Sequence, residues 1–357
     1  MKILHILAYA HRGGCEKNCF YFIESKKEAT HDVLVLDQHG PMITEWELLG
    51  VQVKVLNILC LNLLSFYNSL KKSLPAVEYE TIIVWTNIRM PIILNVLNKY
   101  ETNIFVHVGN PVINRISERL KNQFLSVFFP IGNCVYLRPV SGYVKESILK
   151  HPYYRRFRNQ VSLKPIKTTH VRVNKPTRID RNSVLQLGMV ARLDGIKDHE
   201  TVIRAFSIIR MEYPFAILNL VGGGVLRDEL EALALSLNLK GAVVFHGDVG
   251  NVYEVIREWH LFVYATTLAE GLGGTIPEAL SIGLPIVSVD LPMIREWDKE
   301  GRFIVFCNAS DHSHMASCVI SELDDEFHRN FVYEQGPIYV AEHFSPTIFS
   351  SNYISIN

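Results

Sequence analysis

The sequence predicts an α/β protein made of two doubly wound parallel-sheet domains in succession, and three observations lead there. The chain has 357 residues, a length that at about 100–200 residues per domain suits two domains. Short apolar runs alternate with amphipathic stretches, and that alternation stops and restarts near the middle. The charge also divides there. The 36 Lys and Arg cancel the 36 Asp and Glu overall, yet residues 1–182 hold 25 basic against 13 acidic residues and the remainder 11 against 23. With 48% hydrophobic and 20% charged residues, a disordered or disulfide-stapled chain is excluded.

The elements follow in order. Apolar runs at Ile3–Ala8, Val33–Leu36, Val51–Leu56, Thr81–Trp85 and Ile104–Val108 are expected strands. Between them, the patterns from Cys15 to about Ala29, near Leu63–Leu74 and over Pro91–Tyr100 have helical spacing. Strands alternating with helices imply βαβ units and a parallel sheet. Residues Arg138–Asn182 differ in texture, with 12 Lys and Arg against only Glu146 and Asp180. The connection between domains is expected in the later part of this stretch, around Lys164-Pro165 and Lys175-Pro176. The alternation resumes with strands at Val184–Val190, Ala216–Val221, Val243–Phe245, Leu261–Ala265 and Ile286–Asp290. Helices are expected over His199–Met211 and Leu226–Leu237, near Val252–Glu258, and from Pro277. The expected domains are therefore residues 1–170 and 171–340. In open α/β sheets the ligand sits beyond the carboxyl ends of the strands, so two such domains facing each other would make a cleft.

No window approaches about 18 consecutive apolar residues, and the run Ile3–Ala10 passes into His11-Arg12-Gly13-Gly14 without a cleavage site. Neither a membrane span nor a signal peptide is expected. Six scattered cysteines without a paired CxxC read as free thiols of a reducing cytoplasm, and the i,i+4 pair Cys15 and Cys19 as packing rather than a metal site.

Candidate chemistry concentrates in residues 261–280. A buried-type strand ends near Ala265, a glycine-rich turn follows, and Pro277 suits the first turn of a helix. Gly273 and Gly274 at a helix start admit close approach of a diphosphate to backbone N–H groups. Glu278 would repel that diphosphate unless it accepts from a ribose diol, and Glu270 would face a sugar beyond the phosphates. The plainer alternative is that both glutamates complement the helix N-terminus. Arg192 offers a planar fork and Lys197 a point charge for the same diphosphate, against the alternative of a solvated helix entrance. Gly222-Gly223-Gly224 lacks the third glycine of GxGxxG, with Arg227 in its place, which argues against a nicotinamide dinucleotide. Gly13 and Gly14, directly after the first strand, suit phosphate or a simple turn. His107, ending the strand Ile104–Val108, reads either as a polar group at the cleft or as a satisfied core histidine.

Taken together these motifs carry a family resemblance. Glu270 and Glu278, seven residues apart in the context EGLGGTIPEAL, resemble the nucleotide-sugar signature of retaining glycosyltransferases of family 4. The segment Gly188 to Lys197 resembles that family's diphosphate segment. The turn Gly222-Gly223-Gly224 resembles its glycine turn, and Phe245-His246-Gly247-Asp248-Val249 its loop beside the base. Gly13-Gly14-Cys15-Glu16 is similar to its GGAE-like turn, and His107 stands where members carry a cleft histidine. The resemblance covers about Leu185–Asn308 well and the first half less closely.

It implies the GT-B fold of two Rossmann-like domains, the first binding acceptor and the second the donor, with a terminal helix over about 341–357 packing back on the first. It also implies sugar transfer from a UDP- or GDP-sugar to an acceptor hydroxyl with retention of configuration. The expected catalytic residues are Arg192, Lys197, Glu270 and His107. The expected donor-binding residues are Gly13, Gly14, Gly247, Val249, Gly273, Gly274, Thr275 and Glu278. No DxD stands at a strand end, so a metal-independent reaction is expected. The nucleoside-diphosphate sugar is expected as substrate with no cofactor beside it, and no nucleic-acid partner is expected. The chain departs from the family pattern where Leu291-Pro292-Met293-Ile294 precedes Glu296. The acceptor is expected to be a lipid-linked or surface glycan of the lipopolysaccharide O-antigen or capsule type. The basic first half, including Tyr153–Arg158, would meet an anionic membrane surface, with attraction between oppositely charged domains as the alternative. A nucleotide-sugar 2-epimerase and a noncatalytic sugar-nucleotide-binding protein are the competing readings.

Overall fold

A computed structural model describes residues 1–75, 77–112, 124, 127, 134–166, 171–174 and 178–356. Residue 170, where the first domain was expected to end, and Lys175-Pro176 lie outside these. The chain forms two units, Met1–Pro165 with Pro346–Asn357, and Ile166–Ser345.

The first unit is a parallel sheet of β1 (Lys2–Leu7), β2 (Thr30–Val35), β3 (Gln52–Val55), β4 (Thr81–Val84), β5 (Asn103–Val108), β6 (Val135–Pro139) and β7 (Arg158–Asn159). Their spatial order is β3-β2-β1-β4-β5-β6-β7. The central strands are buried on both faces, which is why they read as continuous apolar runs and not as alternating ones. The core gathers Phe22, Trp46, Trp85 and Phe105, joined from the far end of the chain by Phe349 and Tyr353 of the helix Pro346–Tyr353.

The stretch after Arg138, expected to be a distinct basic segment, is partly folded into this unit. Ser141 caps the helix Gly142–Lys150 by accepting the Val144 N–H, and a 3-10 turn over Tyr154–Arg156 leads into β7. In Tyr153–Arg158 the rings of Tyr153, Tyr154 and Phe157 are buried while Arg155, Arg156 and Arg158 are exposed. Only the cationic half of that expected surface faces outward, since three aromatic rings gain more from the core than from water.

The second unit has a six-stranded parallel sheet: β8 (Gln186–Val190), β9 (Ile217–Val221), β10 (Val243–Gly247), β11 (Leu261–Tyr264), β12 (Ile286–Val289) and β13 (Ile304–Cys307). Its order is β10-β9-β8-β11-β12-β13. The helix His199–Glu212 begins at Asp198, whose carboxylate accepts the Thr201 N–H at 3.1 Å. Gly188 in β8 has a packing reason, because a Cβ there would stand 2.4 Å from the Trp259 ring. Among the described residues no helix is long and apolar enough to cross a membrane.

Candidate functional site

In the second sheet, β8 and β11 lie side by side with β9 and β10 on one flank and β12 and β13 on the other. The order reverses between them, and at such a switch point the loops leaving the strand ends part and open a ligand crevice. Arg192 and Lys197 follow β8, residues 270–278 follow β11, and Gly247 ends β10.

The Lys197 backbone is set before its side chain is considered. Lys197 and Thr266 form an antiparallel bridge, Thr267 N donates to Ile196 O at 3.0 Å, and Asp198 N to Ala265 O at 3.2 Å. The segment after β8 is thus sewn to the exit of β11. Lys197 Nζ donates to the Tyr264 hydroxyl at 2.6 Å and forms an ion pair with Glu270 Oε2. The other oxygen, Glu270 Oε1, accepts the N–H groups of Gly271, Leu272 and Gly273 at 3.1, 3.3 and 3.2 Å. Both side chains are nearly buried, at 12% and 13% exposed. Burial alone would lower the Lys197 pKa, but Tyr264 and Glu270 outweigh it and raise it. Burial alone would raise that of Glu270, but Lys197 and the backbone donors hold it below the usual value. Both therefore stay charged at neutral pH. Glu270, expected to face a sugar, turns inward, since a buried ammonium requires a counter-charge.

Arg192 is different. Its side chain is 70% exposed and its Nη2 meets Asp194 Oδ2 at 2.9 Å, leaving a solvent-facing fork beside the same strand end. The glycines after β9 are explained by packing: a Cβ on Gly222 or Gly224 would stand 2.2 Å from the carbonyl oxygen of Ala191 or Leu193, and both have positive φ. Only glycine lets this turn lie flush against the loop that carries Arg192.

The turn after Glu270 is equally fixed. Gly273 has φ +70°, and a Cβ on it would meet Ile294 Cδ1 at 2.7 Å. Trp297 Nε1 donates to Leu272 O at 2.6 Å, and Thr275 Oγ1 to Val190 O at 2.9 Å. Gly274 follows Gly273 in this turn. Glu278 lies in the first turn of the helix Ile276–Ser281 and is buried, at 6% exposed. Gly247 accepts from Gly222 N at 2.8 Å, and Asp248 Oδ1 from Gly223 N at 2.9 Å. Val249, half-buried, follows.

In the first unit the order reverses between β1 and β4. Gly13 caps the helix Gly14–Ser25. The space beside Gly13 is taken by Glu16, whose Oε2 lies 2.4 Å from where a Cβ would stand, whereas no atom of the described residues lies within 4 Å of a Cβ on Gly14. His107 is 3% exposed, packed 5.5 Å from the Trp85 ring and stacked at 6.3 Å on Tyr353. Burial lowers its pKa to about 4, so it is a neutral imidazole at pH 7. Its Nδ1 is buried without a hydrogen-bond partner among the described residues.

Sequence reasoning missed Tyr264, the residue that joins Lys197 to Glu270. It ends an apolar strand, where a tyrosine reads as core; the one signal was a phenol among aliphatic neighbours. It also missed the buried chain of Trp85, His5 and His31 in the first unit.

Residues 178–337 match the sequence model of the family Glycosyl transferases group 1. An uncharacterised glycosyltransferase of Methanocaldococcus jannaschii is 36% identical over 101 residues, which is 28% of this chain and 25% of that protein. The N-acetylgalactosamine-N,N'-diacetylbacillosaminyl-diphospho-undecaprenol 4-alpha-N-acetylgalactosaminyltransferase of Campylobacter jejuni is 35% identical over 101 residues, 28% of this chain and 27% of that protein. The matched part of this chain thus spans about a quarter of the length of these curated relatives. The crystal structure of Anabaena HepE in complex with UDP and glucose superimposes with a TM-score of 0.80 at 17% identity, over 99% of this chain and 98% of that one. Sucrose-phosphate synthase from Thermosynechococcus elongatus does so with a TM-score of 0.73 at 14% identity, over 99% and 97%. The chain has the GT-B fold of two parallel-sheet α/β domains.

Proposed function

We propose that the protein is a retaining glycosyltransferase that moves a hexose-type sugar from a UDP- or GDP-sugar to an acceptor hydroxyl without a metal ion. The observation that carries this reading is the Lys197–Glu270 pair: a charged ammonium held under a glycine turn at the switch point of the second sheet, inside the segment matched by the glycosyltransferase family. The complex of HepE with UDP and glucose and the polyprenyl-diphosphate-linked acceptor in the name of the Campylobacter relative support the choice of substrates, the second favouring a lipid-linked or surface glycan.

In this reading the donor diphosphate lies between the exposed Arg192 fork and Lys197, which offset the charge that grows as the leaving group departs. Glu278 accepts from the ribose diol. Glu270, bound to Lys197 and three backbone N–H groups, is occupied as a positioning carboxylate and not free to act as nucleophile. The bond from C1 to the diphosphate oxygen breaks, the bond from C1 to the acceptor oxygen forms on the same face, and the acceptor proton passes to the departing diphosphate. His107, neutral, donates to or accepts from a hydroxyl. A cytoplasmic protein whose basic first half meets anionic lipid suits a lipid-linked acceptor, each well-placed Lys or Arg adding about 1 kcal/mol. Failure to bind anionic vesicles at low salt would remove that part.

The test is turnover of a UDP- and GDP-sugar panel with lipid-linked acceptors, with and without chelator. Lys197→Ala should lower kcat/KM by about 100-fold or more, and Glu278→Ala should weaken donor use, with both variants folded. Normal turnover in both sinks the site. Donor isomerised without acceptor would instead mark an epimerase, and donor bound but never turned over a binding protein.

A further inference from the structure

We infer that Tyr264 is a positioning residue for the Lys197 ammonium, its hydroxyl accepting from Lys197 Nζ while donating to Glu270 Oε2, so that the lysine charge is aimed from two sides at once. The inference deepens the donor site proposed above and rests on that reading for its ligand, though not for its geometry.

Tyr264 is fully buried at the end of β11. Its ring has a packing role that phenylalanine would fill as well: it stacks on Phe262 with centroids 6.3 Å apart, and its Cε1 lies 3.1 Å from where a Cβ on Gly273 would stand. The hydroxyl is what packing does not explain. A buried hydroxyl costs free energy unless it is hydrogen-bonded, and this one lies 2.6 Å from Lys197 Nζ and 3.3 Å from Glu270 Oε2. An ammonium has three donors and no acceptor. It follows that Lys197 uses its N–H toward Tyr264 as donor, and the phenol proton goes to the carboxylate.

The consequence lies in the arithmetic of donors. Tyr264 takes one N–H of Lys197 and Glu270 a second; the third has no partner among the described residues, is left for a ligand, and has its direction fixed by the other two. Glu270 alone would hold the ammonium by one contact about which it can swing. The backbone bridge between Lys197 and Thr266 fixes the root of the side chain, and the Tyr264 hydroxyl fixes its tip. Tyr264 keeps its proton, because burial raises its pKa.

Tyr264→Phe tests this, as it keeps the ring and removes only the oxygen. In the full-length protein without ligand, acylation of Lys197 by an amine-reactive reagent at fixed alkaline pH is read by mass spectrometry against exposed Lys299. The variant should label Lys197 several-fold faster, since the ammonium loses an acceptor and its tether; an unchanged rate overturns the inference whatever the ligand is. The second arm is calorimetric binding of UDP to wild type, Tyr264→Phe and Lys197→Ala. Loss of the acceptor that aims the ammonium predicts UDP binding about tenfold weaker in Tyr264→Phe, and because the Lys197–Tyr264 hydrogen bond already exists in the free protein, the variant should also melt at a lower temperature. Equal affinity in Tyr264→Phe where Lys197→Ala has lost binding overturns the positioning role. UDP binding unaffected by Lys197→Ala overturns the diphosphate reading instead, and the labelling arm then decides on Tyr264 by itself.

Discussion

Lys197 and Glu270 are an instance of charge placed where charge is costly. Replacing a buried ion pair with apolar side chains is often neutral, while removing one partner strands the other charge. The pair is therefore weak evidence for stability and better evidence for a task. Glu270→Gln keeps the shape and the three backbone hydrogen bonds but leaves the nearly buried ammonium without its counter-charge, so it should cost about 3 kcal/mol. Lys197→Met should cost less, because the carboxylate retains the N–H groups of Gly271, Leu272 and Gly273. The double variant should recover part of the loss, with a coupling of about 1 kcal/mol or more. Urea unfolding of the four proteins measures this, and strictly additive losses would show that the two side chains do not depend on each other.

At the scale of elements, β1, β2 and β4 of the first sheet are joined by a directional chain of hydrogen bonds. The Trp85 indole only donates, so His5 Nδ1 must accept from it, at 3.1 Å. His5 Nε2 then carries the proton and donates to His31 Nδ1 at 2.9 Å, and His31 Nε2 donates to Lys26 O at 2.9 Å. Every ring nitrogen has one role, and none has room for a second proton. Burial lowers the pKa of both histidines, that of His5 helped by His31, and burial lowers His107 to about 4. The unfolded chain takes up protons near pH 6.5 that the folded unit refuses, so the stability these groups contribute is complete above that pH and drains as pH falls toward about 4. Amide exchange in β1, β2 and β4, corrected for its intrinsic pH dependence, should show weaker protection at pH 5 than at pH 7. In His31→Phe, which strands the His5 N–H, protection should fall at both, by about 2 kcal/mol. Equal protection at the two pH values in wild type would refute the account.

This chain also marks what the sequence can and cannot carry. The strand containing His5 and the one ending just before Trp85 were legible, because buried parallel strands are apolar runs, and so was the glycine turn after β11, because its residue types suit few other uses. Helices such as Met42–Leu48 were not, being too short for periodicity to speak. Nor was the inward turn of Glu270, since a motif gives spacing along the chain while the partner of a carboxylate is set by strand order. Tyr264 and Lys197 are brought together by the adjacency of β8 and β11, which no local pattern states.

At the scale of the whole molecule, the first unit is closed by residues that arrive last in the chain. Phe349 and Tyr353 enter its core, and the fastening is Arg138 at the end of β6, 1% exposed. Its Nε donates to Tyr353 O at 2.6 Å and its Nη2 to Ser355 O at 2.5 Å, with the guanidinium over the Phe105 ring at 4.8 Å. A planar fork thus meets the carbonyl end of the helix Pro346–Tyr353, where unpaired oxygens and the negative end of the dipole both favour a cation. Lysine can supply the charge but neither the fork nor the stacked plane. Arg138→Ala should destabilise the first unit by about 3 kcal/mol through two lost charge-assisted bonds, and Arg138→Lys should restore less than half of that. Because residues 346–357 belong to the first unit, protection of amides in β8 and β11 should stay at its wild-type level while that in β5 and β6 falls. If lysine restored full stability, charge alone would be the fastening; if protection in both units fell together, the terminal helix would not be a part of the first unit alone.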